Sequence, residues 1–217
     1  MFNVCPGCGV YDAERDVPPG RAVAICRRCG HVQPFKRLPL FLLTGASGAG
    51  KSSVGLLLPP LLPECVVLDA DVLWGPEFDT PADGYRSFRE LWLRLAMNMH
   101  QSGRSLVLLG SLAPEQVERC VQRRYLATIH YLALVCTPQA LMARLKARPA
   151  WRRSSEPATL SRMLAFNQWL LEHAAASDPP IALLDTTRAT PAETAAAVAM
   201  WVRSRLGWAD AGLAERR

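Results

Sequence analysis

The sequence predicts a three-layer α/β domain built on a five-stranded parallel sheet, preceded by a small cysteine-bearing ribbon. Three observations predict it: short apolar runs alternating with helical patterns from Leu38 onward, a glycine-rich loop set between one such run and a helix, and two CxxC pairs near the N-terminus. Half of the 217 residues are apolar, enough to bury one substantial core with a satellite module ahead of it.

The ribbon comes first, over residues 1–36. This stretch is rich in Gly, Pro and Cys and too poor in large apolar residues to make a core of its own. Cys5-Pro6-Gly7-Cys8 and Cys26-Arg27-Arg28-Cys29 stand seventeen residues apart. Each CxxC knuckle turns two thiolates toward one point, and four thiolates close a tetrahedral Zn²⁺ site with Zn–S near about 2.3 Å. A closed shell leaves no position for a substrate, so the expected role is structural. His31 follows closely, but Cys5, Cys8, Cys26 and Cys29 already complete the shell. Cys65, Cys120 and Cys136 stand singly in apolar surroundings and read as core fillers.

The main domain is expected over residues 37–217. Strands are predicted at 39–43, 65–68, 105–109, 130–135 and 181–184, each apolar enough for burial on both faces, as in a parallel sheet. The crossovers carry helical signals. Tyr85 to Gln101 places Phe88, Leu91, Trp92, Leu95 and Met99 on one stripe, with Gly103 as a stop. Thr137-Pro138 reads as an N-cap followed by proline at the first helical position, and Thr190, Pro191 and Glu193 repeat that pattern with a capping box.

The formal charge of +6 is spread over several segments and forms no block, so it suits anionic small substrates as well as nucleic acid. No apolar run is long enough to span a bilayer, and the N-terminus lacks a secretory pattern. A cytoplasmic protein without membrane contact is the expectation.

The glycine-rich loop carries the strongest chemical signal. Gly45, Ala46, Ser47, Gly48, Ala49, Gly50, Lys51 and Ser52 satisfy GxxxxGK[ST] at every fixed position, directly after the run Leu40-Phe41-Leu42-Leu43 and before a helix that opens with Ser53. Glycines let the backbone curl around phosphate oxygens and aim several N–H groups and a helix N-terminus at the negative charge. Lys51 reaches the terminal phosphates in such a loop, and Ser52 offers a hydroxyl to the Mg²⁺ that bridges them.

On this loop and the order of the elements, residues 38–206 resemble the nucleoside and nucleotide kinase-like group of P-loop proteins, which includes gluconate, shikimate and adenylylsulfate kinases and chloramphenicol phosphotransferase. The resemblance implies a P-loop NTPase fold that uses ATP, or GTP, with Mg²⁺ to phosphorylate a small acceptor such as a nucleoside, nucleotide, sugar or natural product. In that group the second strand ends in an acidic residue facing the acceptor; here Val66-Val67-Leu68 ends in Asp69-Ala70-Asp71. Two carboxylates two apart on an extended segment point to opposite sides, so one can face the metal and the other the acceptor. The resemblance implies Asp71 as the base and Asp69 as the partner of Mg²⁺, with the two roles open to exchange.

The third strand departs from many P-loop proteins, because Gly110 and Ser111 stand where a Walker B aspartate is expected. This disfavours a GTPase or motor ATPase and leaves Mg²⁺ to Ser52 and Asp69. Glu115 at the next helix start is a further candidate for the pocket wall. After the fourth strand the resembled kinases keep an arginine-bearing lid, and Arg144, Arg148, Arg152 and Arg153 cluster there. Arg148 and Arg152 are expected to spread the charge of the transferring group, with Arg144 assisting and Arg153 solvated. Asp185-Thr186-Thr187 follows the fifth strand, where the resemblance implies a loop beside the base. Two other readings stay open, a polynucleotide 5′-hydroxyl kinase holding nucleic acid through the ribbon and a nucleotide-sensing regulatory ATPase. Oligomeric state is left open.

Overall fold

The computed structural model describes residues 3–11 and 15–207. The outer ends of the two expected domains, residues 1–2 and 208–217, lie outside the described residues.

In the ribbon, strands β1 (Val23–Ile25) and β2 (Val32–Pro34) pair antiparallel. The two knuckles are the same turn made twice. Gly9 N–H donates to the Cys5 carbonyl at 2.8 Å, and Gly30 N–H donates to the Cys26 carbonyl at 2.9 Å. Gly9 and Gly30 hold φ values of 69° and 72°, which a residue with a Cβ adopts only at a cost.

The main sheet contains β3 (Leu40–Thr44), β4 (Cys65–Asp69), β5 (Ser105–Leu109), β6 (Ile129–Val135) and β7 (Ile181–Asp185). All pairings are parallel, in the order β4-β5-β3-β6-β7. The five predicted runs therefore form the sheet, each within a residue of its expected bounds. Central strands β3 and β5 are buried throughout, whereas the edge strands β4 and β7 are only partly covered. The expectation of burial on both faces fails at those edges, beyond which no strand lies among the described residues.

Alternate residues of β3 feed opposite layers, as the two-residue period of a strand requires. Phe41 and Leu43 pack with Val54 and Leu58 of α1 (Lys51–Leu61) and with Val198 and Val202 of α6 (Pro191–Arg205). Leu40 and Leu42 pack on the other side with Trp92 and Met97 of α2 (Arg86–His100) and with Leu170 of α5 (Pro157–His173). Two shorter helices, α3 (Pro114–Val117) and α4 (Pro138–Lys146), follow β5 and β6. The Thr137 cap on α4 and the Thr190–Glu193 capping box on α6 form as the sequence predicts.

Helix α2 corrects the predicted stripe. Its buried residues are Phe88, Arg89, Trp92, Leu93, Ala96, Met97 and His100, while Leu91, Leu95 and Met99 are only partly buried. The buried face is turned by about one position, because α2 must cover the sheet and also pack against the 3₁₀ turn Val121–Tyr125. The far end of α2 holds the ribbon. Lys36 N–H donates to Gln101 Oε1 at 2.9 Å, and Gln101 Nε2 returns a bond to the Lys36 carbonyl at 3.2 Å. Ala24 and Phe35 join the core beneath β3, where the Phe35 ring lies 5.5 Å from that of Tyr125. Cys65, Cys120 and Cys136 are buried as expected.

Candidate active site

The phosphate loop leaves the C-terminal end of β3, the middle strand, and enters α1. A Cβ on Gly45, whose φ is 140°, would lie 2.5 Å from the Leu134 carbonyl oxygen; only glycine lets the loop cross so close to β6. Gly50 caps α1 at φ 106°, also in the left-handed region. Lys51 Nζ donates to the carbonyls of Gly45 at 2.6 Å and Ala46 at 3.2 Å, and to Ser111 Oγ at 3.4 Å. Burial lowers its pKa to about 8, against the pull of Asp71 and Asp69.

Ser111, at the place of the missing Walker B carboxylate, braces the same loop by donating to the Gly45 carbonyl at 3.0 Å. Thr44 ties this segment down further: its Oγ1 donates to the Leu112 carbonyl at 2.7 Å and accepts from Leu112 N–H at 3.0 Å. A Cβ on Gly110 would lie 3.2 Å from that of Ala70, so glycine here lets β5 end close against the Asp69–Asp71 turn.

The two carboxylates meet the loop differently from the extended arrangement expected. Asp69 ends β4, but Ala70 to Leu73 form a 3₁₀ turn, with Asp69 Oδ1 accepting from Asp71 N–H at 3.1 Å. The opposite-sides argument fails because the chain is no longer extended at Asp71. Both carboxylates nonetheless line one cleft of about 1220 Å³ together with Lys51 and Ser52. Ser52 Oγ donates to Asp69 Oδ2 at 3.1 Å, a pair of hard oxygen donors at the loop mouth of the kind Mg²⁺ takes. Burial, and then the neighbouring Asp69 charge, raise the Asp71 pKa, while Lys51, Arg152 and Arg148 oppose the shift.

The arginines expected on a lid divide. Arg148 and Arg152 line the cleft, and burial followed by the Arg152 charge lowers the Arg148 pKa, with Asp71 opposing. The Arg152 guanidinium lies 4.9 Å from the Trp151 ring centroid. Arg153 faces solvent and pairs with Glu156 at 2.5 Å. Arg144 also lines the cleft but is bound into the loop after β7. It donates to Thr186 Oγ1 at 3.1 Å and to the Thr186 carbonyl at 2.6 Å. Thr186 Oγ1 in turn lies 3.1 Å from the Ala49 carbonyl, so Arg144 and Thr186 clamp the post-β7 loop to the phosphate loop.

Several cleft residues were not expected from sequence: Trp74, Tyr85, Trp92, Arg162 and Met163; Arg89, on a helix expected in the acceptor region but with its arginines facing solvent, joins them. Gln116 lines the wall where Glu115 was the candidate; Glu115 is exposed. Met163 Sδ accepts from Ser47 N–H at 3.3 Å. Asn167 fixes α5 there by bonding both backbone groups of Cys136, at 3.2 and 2.8 Å.

Away from the cleft, the four ribbon thiols converge, with all four Sγ atoms within 4.8 Å of one another. The Cys5–Cys29 and Cys8–Cys26 sulfurs are 3.6 and 3.8 Å apart, close to the ~3.8 Å edge of a tetrahedral ZnS₄ shell. The thiols titrate together: the Cys29 backbone N–H lowers the Cys26 pKa to about 6, while, against the pull of the His31 backbone N–H, the Cys8 thiol and burial raise that of Cys29.

No described helix is long and apolar enough to cross a membrane. No family profile matches the sequence, and no curated protein matches it. Solved structures do. A sugar kinase from Janibacter sp. is 17% identical with a TM-score of 0.53, the match covering 80% of this chain and 96% of that one. A gluconokinase from Sinorhizobium meliloti is also 17% identical with a TM-score of 0.53, covering 81% and 98%. With its parallel five-stranded sheet and its phosphate loop after the central strand, the chain shares the P-loop fold of these kinases.

Proposed function

We propose that the chain is a kinase that transfers the terminal phosphoryl group of ATP to a hydroxyl of a small molecule, with Mg²⁺ as its divalent ion and Zn²⁺ as a structural ion in the ribbon. The observation that carries this reading is the convergence of Lys51, Asp71, Arg148 and Arg152 on one cleft at the mouth of the phosphate loop. The fold likeness to the two kinases supports it. Free cysteines at every described position suit a reducing compartment such as the cytoplasm.

The roles follow from position and charge. The amides of Gly45 to Ser53 and the N-terminus of α1 bind the nucleotide phosphates. Lys51, which now bonds the loop carbonyls, carries its ammonium to the β- and γ-phosphates. Ser52 and Asp69 would hold Mg²⁺, which when bound neutralises charge shared by those two phosphates. Asp71 accepts the proton of the acceptor hydroxyl. The freed oxygen forms the new bond to the γ-phosphorus, the bond to the β,γ-bridging oxygen breaks, and the nucleoside diphosphate leaves with that electron pair. Arg148 and Arg152 offer guanidinium donors to the equatorial oxygens, and Arg144 with Thr186 shapes the loop on the base side.

An acceptor panel assayed for ADP release, together with calorimetry of ATP binding, tests the proposal. Saturable ATP binding and acceptor-dependent ADP release are expected. Phosphate release that no acceptor accelerates, or an absence of nucleotide binding by folded protein, would overturn it.

A further inference from the structure

The acceptor side of the cleft has an unusual wall. Trp74 lies 5.2 Å from Phe88 at an interplanar angle of 90° and 5.9 Å from Tyr85. Trp92 continues the series, 6.3 Å from Phe88. All four rings line the cleft. Phe88 and Trp92 are buried, but Trp74 and Tyr85 leave 47% and 38% of their surface open. Neighbouring aromatic faces left wet on a cavity wall favour a ligand that covers them. Tyr85 is held at φ 64° to present its ring here, a conformation that costs a non-glycine residue free energy and clusters at ligand sites.

Arg89 adds charge to that wall. It lines the same cleft, is only 9% exposed, and donates through Nη1 to the Gly84 carbonyl. Its Nε has no hydrogen-bond partner; the side chain also meets the Cys120 thiol, and no carboxylate among the described residues pairs with it. Trp92 Nε1 is likewise without a partner. A guanidinium removed from water without a counter-charge is costly, and a ligand oxygen bearing negative charge relieves that cost.

We infer that the acceptor is a flat, unsaturated ring compound that carries, besides the hydroxyl to be phosphorylated, an anionic or carbonyl oxygen. The ring covers Trp74 and Tyr85, the oxygen answers Arg89, and the hydroxyl faces Asp71. This rests on the kinase reading of the same cleft. A saturated open-chain polyhydroxy acid offers the aromatic wall no flat face. Nucleosides and hydroxyalkyl arenes share the required chemistry.

The test compares thymidine, 3-(hydroxymethyl)benzoate and gluconate as acceptors of the full chain with ATP and Mg²⁺, and measures the binding of each without nucleotide. At least one flat probe is expected to give kcat/KM at least ~10-fold above gluconate, a ratio equal to a single good aromatic contact. Preference between thymidine and the benzoate identifies nucleoside or arene as the source. W74A should raise the KM of the preferred probe ~10-fold with the KM for ATP unmoved, and Trp74→Phe should restore it. Trp74 is half exposed, and an unchanged melting temperature confirms that each variant is folded. R89Q, checked for an unchanged melting temperature, should weaken binding of the probe. Gluconate as the best acceptor, failure of both flat probes to bind at millimolar concentration, or an indifferent W74A would each overturn the inference while the kinase reading stands. Loss of ATP binding by the wild-type chain would remove both.

Discussion

Ser52 Oγ lies 3.1 Å from Asp69 Oδ2, and this bond joins the end of the phosphate loop to the end of β4, two strands away in the sheet. Without a carboxylate after β5, this pair is the expected Mg²⁺ anchor. Asp69→Asn should raise the Mg²⁺ concentration for half-maximal activity by ~10-fold or more while metal-free nucleotide binding persists. A Mg²⁺ titration of initial rates decides it, and an unmoved midpoint would place the ion elsewhere.

Lys51→Ala removes the one ammonium that the loop presents. Turnover should fall on the order of 10²- to 10³-fold, with the circular dichroism spectrum and melting curve retained, since the two shorter Lys51 bonds run to its own loop. Undiminished turnover in folded variant protein would remove the phosphate-loop assignment.

The pH profile of kcat/KM should be bell-shaped. Asp71 acts as a base only when deprotonated, and burial with the Asp69 charge raises its pKa, so activity rises with pH as that proton leaves. Lys51 is useful only when protonated, and its pKa in the free protein is lowered to about 8. Activity therefore falls as pH rises through that value. Asp71→Asn should cost ~10²-fold or more in kcat and abolish the acid limb, leaving the alkaline limb in place. A variant that keeps the acid limb would assign the base to another group.

Arg144→Ala cuts the clamp between α4 and the post-β7 loop. The KM for ATP should rise about 5- to 10-fold, the equivalent of one or two hydrogen bonds, with little change in the KM of the acceptor. Steady-state kinetics in both substrates separates this from a role in transfer, which would lower kcat instead.

The protein should carry one zinc per chain by elemental analysis. Chelation or Cys8→Ser should lower the melting temperature by about 5 °C or more. Because Gln101 ties the ribbon to α2, the acceptor KM should rise more than that of ATP. A zinc-free protein with unchanged melting and kinetics would refute the structural role.

What the sequence disclosed followed from how local the cause was. The five strands were legible because a buried parallel strand has to be an uninterrupted apolar run, and the phosphate loop because its glycines answer to local backbone geometry. The four cysteines were legible by spacing, since each knuckle closes within five residues. The stripe of α2 was misjudged by about one position: hydrophobicity alone excludes Arg89 and His100 from a buried face, yet both are buried. Trp74, Tyr85 and Arg162 share the cleft through turns and crossovers that no short-range pattern encodes. Asp69 and Asp71 were visible as a pair, but the 3₁₀ turn that orients them depends on a capping bond that the strand pattern did not show.

Gln101 makes α2 a beam fixed at one end to the four-cysteine hairpin, and its free end carries the residues that would greet the second substrate. The phosphate loop hangs instead from β3 at the middle of the sheet. If the proposed zinc and kinase roles hold, trace-metal starvation would thus be felt unequally, slackening recognition of the phosphate recipient ahead of donor capture.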